Sequence, residues 1–218
     1  MVDIIYEDKA VIVCHKMAGM AVQTARPGEK DMESELKNYL AKEAGGVPYL
    51  GIVHRLDQPV EGLVLFAKDK RSAAALSEQV RQGGGMHKEY LAGIYGSLPE
   101  EKGVLEDWLI RDKGNLSKLV KPGTPGAQKA VLEYEKLEHK PQTEILKIIL
   151  HSGRHHQIRL QLSGRGVPIL GDTRYGTEES VAYAKTNGIK RLCLIAKRLE
   201  FDHPVSGERQ SFELDVML

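Results

Sequence analysis

The chain has 218 residues, 41% hydrophobic and 28% charged, the make-up of an ordinary globular protein with enough length for a real core. No apolar run is long enough to span a bilayer, and the first ten residues carry acids where a secretory signal would carry bases. The net charge of +1 excludes a uniformly basic surface, yet the bases are unevenly spread: Arg111 to Lys129 holds five Lys or Arg against one acid, and Lys140 to Arg174 holds six against two. Cys14 and Cys193 lie in apolar runs without metal-like spacing, so both read as buried free thiols, and a cytoplasmic location is the expectation.

In chain order, Ile4-Ile5-Tyr6, a turn at Glu7-Asp8-Lys9 and the apolar stretch Ala10 to Cys14 predict a hairpin. A second turn follows at Lys16-Met17-Ala18-Gly19. Met32, Leu36, Tyr39 and Leu40 recur at helical spacing and predict a helix from Met32 to Glu43, ended by Gly45-Gly46. Ile52-Val53 and Leu63 to Phe66 read as buried strands on either side of a polar turn, His54 to Gly62. Arg71 to Gln82 reads as a helix stopped by Gly83-Gly84-Gly85, and Tyr90 to Tyr95 as a strand. Lys113 to Gln128 is rich in Gly, Pro and Lys and reads as an exposed loop. Val131 to Leu137 and Glu144 to Leu150 read as paired strands, and His155 to Leu162 as a short helix ended by Gly164. Leu192 to Ala196 and Phe212 to Val216 read as closing strands. Many strands, few helices and no regular alternation predict an α+β fold, expected to form a single domain over residues 1–218.

Two polar segments stand out. Gly51 to Lys68 sets His54-Arg55-Leu56-Asp57 on a turn between apolar strands, a rigid mount for a charged group. The bland alternative is an aspartate that only satisfies its own turn. His151 to Gly176 is the second segment. On a helix there, Ile158 and Leu162 share one face while His155 and Arg159 share the next, offering a guanidinium that would keep a nearby carboxylate ionised. His151, His155 and His156 are a weak metal signal, because adjacent histidines on a helix diverge and no carboxylate lies nearby in sequence.

Taken together these segments resemble the RluA-type family of pseudouridine synthases. The resemblance rests on His54-Arg55-Leu56-Asp57, then Gly62 and Ala67-Lys68, and on Gly153-Arg154-His155-His156-Gln157-Ile158-Arg159 followed by Gly166 to Asp172 and Tyr175-Gly176. Lys88-Glu89-Tyr90-Leu91-Ala92, the opening Tyr6-Glu7-Asp8 with Lys16 and Gly19, and the closing Phe201-Asp202-His203-Pro204 extend it over nearly the whole chain in order. It implies the pseudouridine synthase fold: a mixed, mostly antiparallel central sheet with flanking helices and loops and a catalytic cleft across the sheet. It also implies that Asp57 is the catalytic aspartate, that Tyr90 stacks on the target uracil and that Arg159 pairs with Asp57. Arg55 would fill the gap left by the flipped uridine, and His54, Arg154, Gln157 and Ile158 would contact substrate. The partner is then ribosomal or transfer RNA, the protein a monomer, and the isomerisation needs neither cofactor nor metal.

Four positions depart from the family pattern. Val60-Glu61 replace Thr-Ser, and Gln161 and Ile195 stand where histidines are common, which bears on substrate contacts more than on chemistry. A hairpin that begins at the N-terminus leads to the expectation of no accessory N-terminal RNA-binding domain. The alternative within the fold is a catalytically inactive RNA-binding protein. His54-Arg55-Leu56-Asp57 also resembles a kinase catalytic loop, but no Gly-rich phosphate loop or metal-binding Asp motif accompanies it.

Overall fold

The computed structural model describes residues 2–24, 28–44, 47–81, 84–111 and 116–218. In chain order its elements are β1 (Asp3–Glu7), β2 (Val11–Lys16), α1 (Met32–Ala44), β3 (Gly51–Ile52), β4 (Glu61–Ala67), α2 (Lys70–Val80) and β5 (His87–Tyr95). There follow β6 (Lys102–Arg111), β7 (Ser117–Val120), β8 (Gln128–Lys140), β9 (Thr143–Leu150), α3 (Gln157–Ser163), α4 (Glu178–Thr186), β10 (Leu194–Asp202) and β11 (Arg209–Glu213). The architecture is α+β with antiparallel strand pairing. The chain divides into two compact units, Met1–His87 with Ala196–Val216, and Lys88–Ile195 with Met217–Leu218.

In the first unit the strand order is β1-β2-β4-β10, with β3 beside β4 and β11 beside β10. The Asp8 carboxylate shapes the β1–β2 hairpin by accepting from the amides of Ala10 at 2.7 Å and Val11 at 2.8 Å. Such side-chain to backbone bonds are why aspartate favours turns. Val11 and Val13 of β2 face the same way as Leu63, Leu65 and Ala67 of β4, and with Leu76, Leu199 and Phe201 they form the core of this unit. The alternate residues Ile12, Cys14, Val64 and Phe66 are fully buried too, which explains why these strands read as unbroken apolar runs. Each such side chain contributes about 1.5–3 kcal/mol when removed from water. Asp69 caps α2 by accepting from the Ser72 amide at 2.9 Å. At Gly62, φ is +141° and a Cβ would lie 2.5 Å from the carbonyl oxygen of Ala196, so only glycine fits where β10 passes.

The second unit carries the order β5-β9-β8-β6-β7. Leu109 of β6, Ala130 of β8 and Leu160 of α3 form a core, with Leu119 and Tyr175 packed on it. Part of the expected Lys113–Gln128 loop is strand: β7 pairs Trp108 with Val120 and Arg111 with Ser117. Its four residues are too few to show a period against their Gly- and Pro-rich flank. β6 escapes the sequence reading because Leu105 and Leu109 are buried among charged neighbours. α4 escapes it too, although Thr177 caps it by accepting from the Ser180 amide at 3.2 Å; the helix has only nine residues and few apolar ones. β10 runs on to Asp202 rather than ending at Ala196, because β11 covers its far half from Arg198 to Asp202. The expected stops at Gly45-Gly46 and Gly83, and the end of the second helix at Gln82, lie outside the described residues. Cys14 is buried, which pushes its thiol up to about 12, whereas Cys193 is only partly buried. Among the described residues no helix is long and apolar enough to cross a membrane.

Candidate functional site

In the first unit, β3 and β4 present the turn that bears Asp57. Their register, Gly51 opposite Ala67 and Ile52 opposite Phe66, leaves His54 to Val60 as the connection. His54 supports it from within: its Nε2 accepts the amide proton of Leu65 at 3.2 Å, so that nitrogen carries no proton. Leu56 points into the core while Arg55 is exposed and makes no ion pair among the described residues. Asp57 itself is partly buried, and its carbonyl accepts from Val60 at 3.0 Å to close the turn.

A second turn, Met17 to Met20, braces the first. The Gly19 amide donates to the Gln58 carbonyl at 2.9 Å, and the Gln58 side-chain amide donates back to the Gly19 carbonyl at 3.0 Å. Below both lies Lys16, fully buried. Its ammonium donates to the carbonyls of Met17 at 3.2 Å, Met20 at 2.7 Å and Gln58 at 3.0 Å. All three ammonium hydrogens thus have acceptors, as a buried cation requires. Burial pushes Lys16 down to about 8, opposed by the negative charges of Asp57 and Glu61. Glu61 points inward, 3.1 Å from Nε2 of His15, and Val60 is core. The unusual Val60-Glu61 pair therefore lies inside the protein rather than on the surface of the turn.

The second unit holds the other candidates. Tyr90 is buried on β5, opposite Ile148 of β9. Arg159, on α3, is also buried, and its guanidinium grips Asp172 through two bonds: Nε to Oδ2 at 2.7 Å and a terminal nitrogen to Oδ1 at 2.8 Å. The guanidinium also sits 5.0 Å from the centre of the Tyr175 ring. Burial pushes the Asp172 carboxyl up, but Arg159 and the amides of Arg174 and Tyr175 more than offset it and hold it below the usual range. Asp172 stood in the sequence motif without a role; its function as a partner of Arg159 appears only in three dimensions.

Gln157 is buried with all four side-chain hydrogen-bonding positions used inside the protein. It accepts from Ser152 at 2.8 Å and the Arg154 amide at 3.0 Å, and donates to the Val131 carbonyl at 3.1 Å and to Gln161 at 3.0 Å. These bonds fix the loop before α3. Gln161, one of the departures, continues this chain to the Leu105 carbonyl at 3.1 Å and Asp107 at 2.7 Å, which ties α3 to β6. Arg154 donates from Nε to the Lys129 carbonyl at 3.0 Å, and Ile158 and Ile195 are core.

The helix begins later than the sequence suggests. His156 takes a left-handed conformation, φ 55°, and α3 starts at Gln157, so His155 does not share a helix face with Arg159. The two histidines therefore do not diverge. Their rings stack at 3.7 Å, with His155 Nδ1 at 2.8 Å from the Ser117 hydroxyl and His156 Nδ1 at 2.7 Å from the Tyr175 hydroxyl.

Comparison with known proteins bears on the family and the fold. A family model described as RNA pseudouridylate synthase matches residues 10–164. The dual-specificity RNA pseudouridine synthase RluA of Vibrio cholerae is 33% identical over 212 residues, covering 94% of this chain and 79% of that protein. The ribosomal large subunit pseudouridine synthase D of Zymomonas mobilis is 29% identical, covering 98% and 69%. The structure of human RNA pseudouridylate synthase domain containing 4 superposes with a TM-score of 0.80 at 24% identity, over 99% of this chain and 88% of that one, which shows the shared fold.

Proposed function

Because the chain belongs to the RNA pseudouridylate synthase family, and so is an isomerase acting on uridine in RNA, we propose that Asp57 is the carboxylate that carries the reaction and that Tyr90 and Arg159 act on the same uridine. The reaction breaks the bond between N1 of uracil and the ribose and forms one from C5. N1 gains the proton that C5 gives up, so atoms balance without an oxidant or co-reactant. A carboxylate can serve by adding to the sugar or base, or by taking a sugar proton. Both roles need it ionised and held still.

The observation that carries this reading is the mount of Asp57: a turn closed by its own carbonyl and braced by the buried ammonium of Lys16 and the paired Gly19 and Gln58 bonds. Precision of this kind is what positioned chemistry requires. Tyr90 offers a rigid aromatic face for the uracil, and Arg55 an exposed cation for the RNA backbone. Gln157 acts as a positioning residue for Arg159, by fixing the start of α3. Relatives named for the ribosomal large subunit support ribosomal RNA as the substrate class.

Pseudouridine mapping of ribosomal and transfer RNA in a strain lacking this gene tests the proposal. A specific pseudouridine is expected to vanish, to return with the wild-type gene and to stay absent with Asp57→Ala. Restoration by the alanine variant refutes the role of Asp57.

A further inference from the structure

β5 carries a second buried cation, two residues before Tyr90. Lys88 is only 9% exposed, and among the described residues its ammonium has no hydrogen-bond acceptor and no acid. Burial alone lowers its pKa, with no neighbouring charge to oppose the shift. An ammonium this enclosed normally finds a carboxylate or a set of carbonyls, because desolvation without them is unfavourable.

The covering loop shows where an acceptor enters. Gly153 lies over the end of the Lys88 side chain: a Cβ built there would stand 3.6 Å from the ammonium nitrogen and touch nothing else within 4 Å. Gly153 is exposed. On this side the ammonium thus faces a residue with no side chain. The gap is built, not loose. Ser152 donates to Gln157 at 2.8 Å and receives the Val131 amide at 2.8 Å, and Arg154 is tied to the Lys129 carbonyl.

We propose that Lys88 is a receptor for one phosphodiester of the RNA, reached through the gap at Gly153. Lys88 and Tyr90 point to the same face of β5, about 7 Å apart along the strand. That is of the order that separates a base from the phosphates of its own nucleotide. A base stacked on Tyr90 therefore brings an anionic oxygen to the ammonium, which gains a charge-assisted hydrogen bond. The inference rests on RNA as the substrate and on Tyr90 as its stacking residue.

Filter binding to ribosomal RNA from the deletion strain, at salt between about 50 and 200 mM, tests it. Lys88→Met is expected to bind roughly tenfold or more weakly, as loss of a charged hydrogen bond requires. The slope of log affinity against log salt is expected to fall by about 0.7–0.9, the signature of one lost phosphate contact. Lys88→Arg is expected to keep most of both. Gly153→Ala is expected to weaken binding without changing the melting temperature, since its methyl group has room. Thermal melting separates binding from folding: Lys88→Met is expected to melt above wild type, because it removes a buried charge that lacks a partner among the described residues. Unchanged affinity and slope overturn the proposal. Weaker binding with an unchanged slope also overturns it, in favour of a neutral acceptor such as a uracil carbonyl. A lower melting temperature for Lys88→Met overturns it in favour of a structural role. Rescue by Asp57→Ala bears on the catalytic reading, and the salt slope on this one, so the two fail separately.

Discussion

Lys16 and Lys88 are both buried lysines, one in each compact unit, and their surroundings differ in one respect. Lys16 is enclosed by three backbone carbonyls within hydrogen-bond distance, with Asp57 and Glu61 adding attraction. Lys88 is enclosed by comparable bulk and has no acceptor among the described residues. The first arrangement organises the protein itself, because the cation's hydrogen-bonding needs fix two turns against each other. The second leaves the same need for a ligand to meet. Burial alone therefore does not tell a structural lysine from a binding one; the acceptor count does. The guanidinium of Arg159, like the ammonium of Lys16, has acceptors within the protein, two bonds from Asp172 among them.

The largest effect is expected where a partnered cation loses its acid. Asp172→Ala leaves the Arg159 guanidinium buried without its bidentate partner and is expected to lower stability by about 3–5 kcal/mol in urea unfolding. The acid limb of the same pair has a definite sign. The folded Asp172 carboxyl titrates below its unfolded value, so its contribution is complete above the ordinary aspartate range and is lost as pH falls through the folded value. Asp172→Asn is expected to flatten that limb of the stability curve.

Lys16→Met comes next. It deprives three carbonyls of a charged donor and is expected to lower stability by about 2–3 kcal/mol, and to lower kcat in the protein that remains folded, because the turn bearing Asp57 loses its brace. A stability at or above wild type would dissolve the contrast with Lys88. The pH dependence sharpens it. Folded Lys16 titrates at about 8, below its unfolded value, so the folded state releases this proton first. Wild-type stability relative to Lys16→Met is expected to climb as pH rises from about 8 toward the ordinary lysine range, and to be lost as pH falls through about 8.

Lys88→Met is the smallest effect and the most telling, because its sign is reversed. With no acceptor to orphan among the described residues, it is expected to raise stability by about 1 kcal/mol in the same urea titration. A loss of similar size would mean that the two lysines do the same work.

Much of this was legible in the sequence because it depends on local order. The β1–β2 hairpin, the first two helices, β4 and the β8–β9 pair follow from apolar runs, helical spacing and turn residues that act within a few positions. The α+β class follows from their number and order, and Asp57 stood out as a charge on a turn between buried strands. β7 and α4 were not legible, because four and nine residues carry too little period to compete with Gly, Pro and charged neighbours. The start of α3 is not legible in the sequence, because one left-handed residue, His156, interrupts a stretch that otherwise reads as helix.

What the tertiary structure alone decided is who partners whom. Lys16 and Gln58 are 42 positions apart, and Lys88 and Gly153 are 65 apart by their numbers. Nothing in either lysine's neighbours in sequence says that one will meet three carbonyls and the other a bare glycine. Residue type and local pattern determined only that one cation would open a turn after the first hairpin and the other would stand just before a strand. Only the folding of distant turns onto those strands determined which cation is satisfied within the protein and which is left for the RNA.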